Sequence, residues 1–97
     1  MSYVTNVILK LPVCEDKKIE QINSFFPVHH GFLRCVDEIC GGTKAFEQPV
    51  YLAAFNYFDL DGFIEHVKSI PWDCPEDIQI FVCGQNDDIF TEVLRND

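Results

Sequence analysis

Apolar and polar positions in the first third of the chain follow two different periods. Tyr3–Leu11 is rich in β-branched and aliphatic residues and stops at Pro12, which predicts a strand. The next stretch repeats apolar residues at helical spacing, and its acidic first residues suit the positive end of a helix. It therefore predicts a helix that begins near Glu15–Asp16, ends at Pro27 and carries a stripe made of Ile19, Ile22, Phe25 and Phe26.

The remainder of the chain predicts a second group of elements. Phe32–Val36 is a short apolar run and predicts a strand, and Val50–Phe58 is the strongest strand candidate. A helix then begins after Asp59, whose carboxylate suits the N-cap position, and its apolar residues recur at helical spacing as far as Ile70. The alternating run 78–83 predicts a last core strand. Residues 88–94 fit a short edge strand or a helical turn, and we favour the strand.

The order β-α-β-β-α-β is typical of the ferredoxin-like fold, an α+β arrangement with a four-stranded antiparallel sheet. Both helices are expected on one face of the sheet, and residues 88–94 would add a C-terminal edge strand. The length of 97 residues suits one domain covering residues 1–97.

Val50–Phe58 is apolar on both of its faces, as expected for a central strand. We expect one of these faces, with Tyr51, Phe55 and Tyr57, to form an aromatic patch on the side of the sheet without helices. A soluble monomer rarely leaves such a patch bare. Three coverings are open: the chain's own segments 37–48 and 84–97, a second copy in a homodimer through the open sheet face, or a ligand or foreign partner.

Charge is distributed unevenly along the chain. The net charge is −9, and residues 49–97 hold ten Asp and Glu against two Lys and Arg. An acidic folded surface repels nucleic acid and anionic membranes and attracts basic partners. No apolar run approaches the roughly 20 residues of a membrane span. We therefore expect neither nucleic acid nor membrane as a partner.

Five cysteines, an odd number, are spread along the chain at positions 14, 35, 40, 74 and 83. The first residues show no basic segment and no cleavage pattern of a secretory signal. Reduced thiols and a cytoplasmic location are expected from this combination.

A zinc site would need four nitrogen or sulfur donors, usually in two close pairs. His29, His30, Cys35 and Cys40 offer these donor types. Adjacent histidines on an extended segment point in opposite directions, and Cys35 falls in a predicted strand. We expect a polar turn and core thiols here, and no metal.

Two further motifs are incomplete. Asp59–Gly62 resembles the start of a calcium loop, but the third Asp or Asn is missing and position 12 of the loop is Ile70. Gly41–Lys44 has the residue types of a phosphate loop without its spacing, and it joins two predicted strands. Neither motif predicts a cofactor.

A cysteine–histidine nucleophile would have to pair Cys74 or Cys14 with His66 or His30. Cys74 lies among acidic residues, and negative charge raises a thiol pKa. The many carboxylates are dense enough to form pairs by chance, so no acid–base pair is singled out. We expect no catalytic residue, and an interaction protein fits the sequence better than an enzyme.

Two functional hypotheses follow. The first is a small acidic cytoplasmic interaction domain, such as an inhibitor or immunity-type binder of a basic protein. Its partner would bind an acidic edge formed by Asp59, Asp61, Glu65, Trp72, Asp73, Glu76 and Asp77. The alternative is a ligand-binding or enzymatic domain with an aromatic pocket at a dimer interface, lined by the aromatic patch, with His30 or His66 as the proton-transfer group.

Overall fold

A computed structural model describes residues 3–27 and 31–94, which form an α+β structure with one open antiparallel sheet. The five strands are β1 (Val4–Lys10), β2 (Arg34–Cys35), β3 (Val50–Asn56), β4 (Gln79–Gly84) and β5 (Thr91–Glu92). The two α-helices are α1 (Ile19–Asn23) and α2 (Leu60–Ser69). Short 3-10 helical segments occupy Val13–Lys18, Val36–Glu38 and Pro75–Asp77.

The strand order is β2-β3-β1-β4-β5, and every neighbouring pair is antiparallel. β1 lies in the centre, with Val7 opposite Ala53 on one side and Val82 on the other. The predicted strands at 3–11 and 78–83 are confirmed to within two residues at each end. The favoured edge strand within 88–94 is also present, although it is only two residues long.

β3 stops at Asn56, two residues earlier than predicted. The next residue, Tyr57, has a φ of 51°, in the left-handed region that breaks an extended ladder. Its backbone N–H donates to the carbonyl of Tyr3 at 2.9 Å, which fixes the exit from the strand.

β2 is much shorter than the predicted 32–36 strand because neighbouring residues bind elsewhere. The Asn23 side chain accepts from the N–H of Leu33 at 2.9 Å and donates to the carbonyl of the same residue at 3.2 Å. On the other side, Ile39 N–H donates to the carbonyl of Val36, which starts a 3-10 turn. Only Arg34–Cys35 pairs with β3.

The first predicted helix is divided. Val13–Lys18 is 3-10, with a non-helical Glu15 at φ −123° and ψ 22°, and regular α-helix covers only Ile19–Asn23. The helical spacing of the apolar residues still has its effect, because Ile22 is fully buried. The break at Glu15 coincides with long-range hydrogen bonds of its carboxylate, described below.

α2 forms as predicted. The Asp59 carboxylate accepts from the N–H of Gly62 at 3.1 Å and caps the helix. Phe63 and Val67, one turn apart, are fully buried. Ile70 turns extended ahead of Pro71, as residues before proline favour, and the helix ends there.

The core lies between the two helices and one face of the sheet. Val7 and Leu9 of β1 are buried there together with Ile22 of α1 and Phe63 of α2. Five aromatic rings also meet on this covered face, with centroid separations of 4.5–6.2 Å among Phe25, Phe26, Phe55, Phe58 and Phe63.

The expectation of an exposed aromatic patch is wrong for two of its three residues. Tyr51 pairs with Leu9 and Phe55 with Thr5, so both side chains point to the covered face, where they are 8% and 7% exposed. Phe26 stacks on Phe55 at 4.5 Å. Tyr57 is 69% exposed and lies beyond the strand. The helices therefore cover the aromatic side of β3.

The opposite face, hereafter the open face, carries Ile8, Leu52 and Phe81 in one row across three strands. All three are half-buried, and none belongs to the core cluster. In the described ranges 3–27 and 31–94, no helix is long and apolar enough to cross a membrane.

Candidate functional site

Helix α2 divides the proposed acidic edge into two groups. Its ten residues span about 15 Å at 1.5 Å per residue. Asp59 and Asp61 stand at its first turn, whereas Asp73, Glu76 and Asp77 lie beyond its last turn. The seven residues therefore do not form one continuous cluster.

The group at the start of α2 serves the helix. Asp59 is its cap, and Asp61 adds a negative charge to the first turn, where the helix dipole favours it. Asp61 and Glu65 are exposed. Helix stability accounts for Asp59 and Asp61 without a partner.

The second group forms a compact loop, which we call the acidic turn and define as Asp73–Asp77. Within it, Asp77 N–H donates to the carbonyl of Cys74 at 3.1 Å, and Ile78 N–H donates to that of Pro75 at 3.2 Å. The side chains of Asp73, Glu76 and Asp77 are exposed. Three carboxylates thus project from a hydrogen-bonded turn.

The carboxylate of Glu15 binds the backbone of the acidic turn. This carboxylate is 6% exposed and accepts from the N–H groups of Asp73 at 2.7 Å and Cys74 at 3.1 Å. The Lys18 ammonium lies 2.9 Å from it, also donates to the carbonyl of Pro71 and sits 5.2 Å above the Trp72 ring. The turn is therefore fixed by residues almost 60 positions away in sequence.

The hydrogen bond from Asp73 N–H lowers the pKa of Glu15 below its ordinary value. Burial acts in the opposite direction, and Lys18 and the N–H of Cys74 add to the lowering. Glu15 is consequently ionised at neutral pH. Sequence reasoning assigned it only to a helix start, because nothing local reveals a partner near residue 73.

Cys74 is a poor nucleophile in this setting. Burial raises the pKa of its thiol, and Glu76, Asp77, Glu15 and Asp73 raise it further. The thiol is therefore protonated at neutral pH, as its acidic surroundings in the sequence predicted.

Donor atoms of Cys74, Glu76 and Asp77 lie within 4.8 Å of one another. Carboxylate and thiolate donors can hold a divalent cation. Both carboxylates are exposed, and exposed acidic groups gather commonly without an ion. We base no metal assignment on them.

Trp72 is half-buried and forms part of a surface pocket. Its Nε1–H donates to the carbonyl of Val67 at 2.8 Å, which fixes the ring against the end of α2. The pocket has a volume of about 220 Å³ and lies beside the acidic turn, lined by Val67, Lys68, Trp72, Pro75, Ile78 and Leu94. Trp72 is thus a wall of this pocket.

The other candidate residues lie apart from the acidic turn. His66 Nε2 is 2.8 Å from the carbonyl of Gln21, and its ring packs 5.4 Å from that of Phe25, so it joins the two helices. Cys35 is in β2 and Cys40 is exposed beyond it. His29 and His30 lie outside the described residues.

Comparison of the chain with protein-family models, curated proteins and solved structures found no significant match.

Proposed function

We propose that this protein is a small acidic interaction domain that binds a basic protein through the acidic turn and the adjoining Trp72 pocket. The observation that carries the proposal is the anchoring of the turn by Glu15, which fixes the backbone that carries three exposed carboxylates. Because the backbone of the turn is already held in place, little conformational entropy is lost when a partner binds it. Preorganisation of this kind favours affinity.

The pocket narrows the class of partner. An apolar side chain of ordinary size could enter the space beside Trp72 while flanking Lys or Arg residues meet Asp73, Glu76 and Asp77. Aromatic walls and desolvated pockets are where binding energy concentrates in interfaces. The expected ligand is therefore a protein segment with one apolar residue between basic ones, and an inhibitor or immunity-type role is consistent with it.

Two finer assignments belong to this proposal. The β-α-β-β-α-β order and the antiparallel neighbours β2-β3-β1-β4 support a ferredoxin-like arrangement with β5 as an added edge strand. Five free thiols support a reducing compartment such as the cytoplasm. The fold class itself carries no function, so the proposal rests on the site.

No observation favours the alternative of an aromatic ligand pocket at a dimer interface. Tyr51 and Phe55, which were to line it, pack in the core.

A peptide array tests the proposal directly. Peptides with one Leu or Phe flanked by Lys and Arg are compared with peptides in which Glu replaces the basic residues, and association rates of the binders are measured against salt concentration. We expect basic peptides alone to bind, with a rate that falls as salt rises, because screening weakens electrostatic steering.

Two variants with the same change of net charge locate the site. Glu76→Gln/Asp77→Asn should weaken binding about tenfold, whereas Glu20→Gln/Asp88→Asn, exposed and outside the acidic turn, should leave it unchanged. If both variants lost affinity equally, net charge alone would explain the loss, and the result would contradict the proposed site. Equal binding of acidic and basic peptides would contradict the function.

A further inference from the structure

The open face carries a row of five residues, one from each strand, that is apolar in the middle and charged at both ends. In the ladder, Leu52 stands opposite Ile8, and Ile8 opposite Phe81. The row extends outward to Arg34 on β2 and Glu92 on β5. Residues paired in register point to the same face, so these five side chains lie along one line.

Two copies of this row complement each other when one of them is reversed. Arg34 and Glu92 are each two strands from Ile8, which is about 10 Å at 4.8 Å per strand. Two copies can stack with their open faces in contact, related by a two-fold axis that runs parallel to β1 between them. This rotation places Ile8 of one copy over Ile8 of the other. The same rotation brings Leu52 over Phe81 of the other copy and each Arg34 opposite a Glu92.

A groove lies at the β2 edge of the open face. It has a volume of about 420 Å³ and is lined by Arg34, Cys35, Glu38, Ile39 and Leu52. The two-fold places Phe81 of the second copy over Leu52 and therefore beside this groove. Phe81 and Glu92 form one half of the contact, and the groove with Arg34 forms the other half.

We propose that the open face is the interface of a two-fold homodimer, in which Phe81 of each copy enters the Leu52–Ile39 groove of the other and Arg34 pairs with Glu92 across the interface. Isologous contacts of this kind are the commonest way in which proteins dimerise. Charge complementarity at both ends of the row identifies the occupant as a second copy of this chain.

The existing partners of the two charged residues do not prevent this exchange. Arg34 pairs with Glu38 at 3.0 Å, but the two side chains are 67% and 54% exposed, and an exposed pair of this kind adds little stability. Gln79 donates to Glu92 at 3.3 Å, and the bond leaves the second carboxylate oxygen for Arg34. Lys10, in the adjoining row, donates its ammonium to the carbonyl of Asp77 at 3.1 Å.

The available area predicts a weak dimer. The five strands are two to seven residues long, and at about 3.3 Å per residue and 4.8 Å between strands they make a face of about 380 Å² in projection for each copy. Two such faces total about 760 Å² in projection, which is below the standard size of specific interfaces and in the range of weak, transient contacts. The net charge of −9 on each copy also opposes association. We expect a reversible dimer that forms with rising concentration.

Sedimentation velocity from micromolar to millimolar protein, at about 0.15 M salt, tests this dimer. The wild type should shift from monomer to dimer across the range. Arg34→Glu and Glu92→Arg should each weaken self-association about tenfold, because each sets like charges opposite one another. An equimolar mixture of these two variants should dimerise like the wild type, because every cross-interface pair is again of opposite charge.

A second pair of variants tests the apolar centre. Phe81→Asp should abolish the dimer, whereas Val13→Asp, at an exposed apolar position on a 3-10 segment outside the sheet, should not change it. Circular dichroism confirms that each variant is folded. A wild type that stays monomeric up to millimolar concentration, a dimer that survives Phe81→Asp, or a mixture that fails to restore association would each overturn the proposal. These outcomes are independent of peptide binding at the acidic turn.

Discussion

The two faces of the sheet carry similar apolar residues, but these residues are buried to different degrees. Leu9 and Ile8 are neighbours in β1, yet Leu9 is fully buried whereas Ile8 is half-buried on the open face. Both faces present an apolar residue at this level of the strand. The difference arises because α1 and α2 pack on one face only. Hydrophobicity alone therefore does not tell which face of this sheet is the core.

The faces differ most in their aromatic content. The covered face gathers five phenylalanine rings in mutual contact, and Phe55 and Phe58 stack at 5.2 Å within that group. The row across the open face has one phenylalanine, with Arg34 and Glu92 at its ends. Clustered rings stabilise the fold of one chain, and a row with charged ends suits a surface that associates reversibly.

The largest expected effect contrasts one ring from each face. Phe63→Ala should lower the free energy of unfolding by about 3–5 kcal/mol, because it removes a fully buried ring at the centre of the aromatic group. Phe81→Ala should cost less, about 1–2 kcal/mol in dilute solution, because its ring is only half-buried. Urea unfolding monitored by circular dichroism measures both.

Repeating these measurements at a higher protein concentration provides the control. At concentrations where the dimer forms, Phe81→Ala should become more destabilising, since binding of the folded state adds to its stability. Equal losses for the two rings in dilute solution would contradict the assignment of covered and open faces.

The next effect concerns Glu15, a buried charge on the covered side. Its pKa is lowered in the folded state, so its stabilising contribution is complete above the unfolded value of about 4.3. The contribution is lost as the pH falls through the lowered folded pKa. Glu15→Gln should therefore be less stable than the wild type at pH 7, and the difference should shrink as the medium is acidified below pH 4.

Thermal unfolding across this pH range measures the effect. Glu20→Gln, at an exposed position, is the matched control and should follow the wild type. A constant gap between Glu15→Gln and the wild type at every pH would mean that the Glu15 carboxylate does not titrate as its hydrogen bonds require.

The smallest effect concerns the cap of the helix that covers the sheet. Asp59→Ala should cost about 1 kcal/mol, because the N–H of Gly62 loses its acceptor. Asp59→Asn keeps an acceptor oxygen and should cost less than half as much. Urea unfolding compares the two variants, and a loss that is equal for both would assign the effect to charge instead of capping.

Much of the fold was predictable because its signals are local. The β-branched run of β1 and the Asp59 cap with the helical period of α2 each act over a few residues, and both elements lie where they were predicted. The acidic turn was also visible, since Asp73, Glu76 and Asp77 cluster in the sequence.

Long-range partners explain the errors. β2 is short because the Asn23 side chain takes both backbone groups of Leu33. The first helix is broken where Glu15 bonds to the backbone of Asp73 and Cys74. Residue spacing predicts neither contact. The first joins a helix to the segment before a strand, and the second joins residues that are far apart in the sequence.

The sequence by itself determined the strands β1, β3 and β4, the helix α2, the acidic character of the second half and the presence of an apolar residue on each side of β1 and β3. The tertiary structure alone decided that Tyr51 and Phe55 face the helices and that Ile8, Leu52 and Phe81 do not. Periodicity fixes which side chains share a face, since alternate residues of a strand point the same way. Which of the two faces becomes the core depends on where the helices pack, and that choice is made by contacts between segments far apart in the chain.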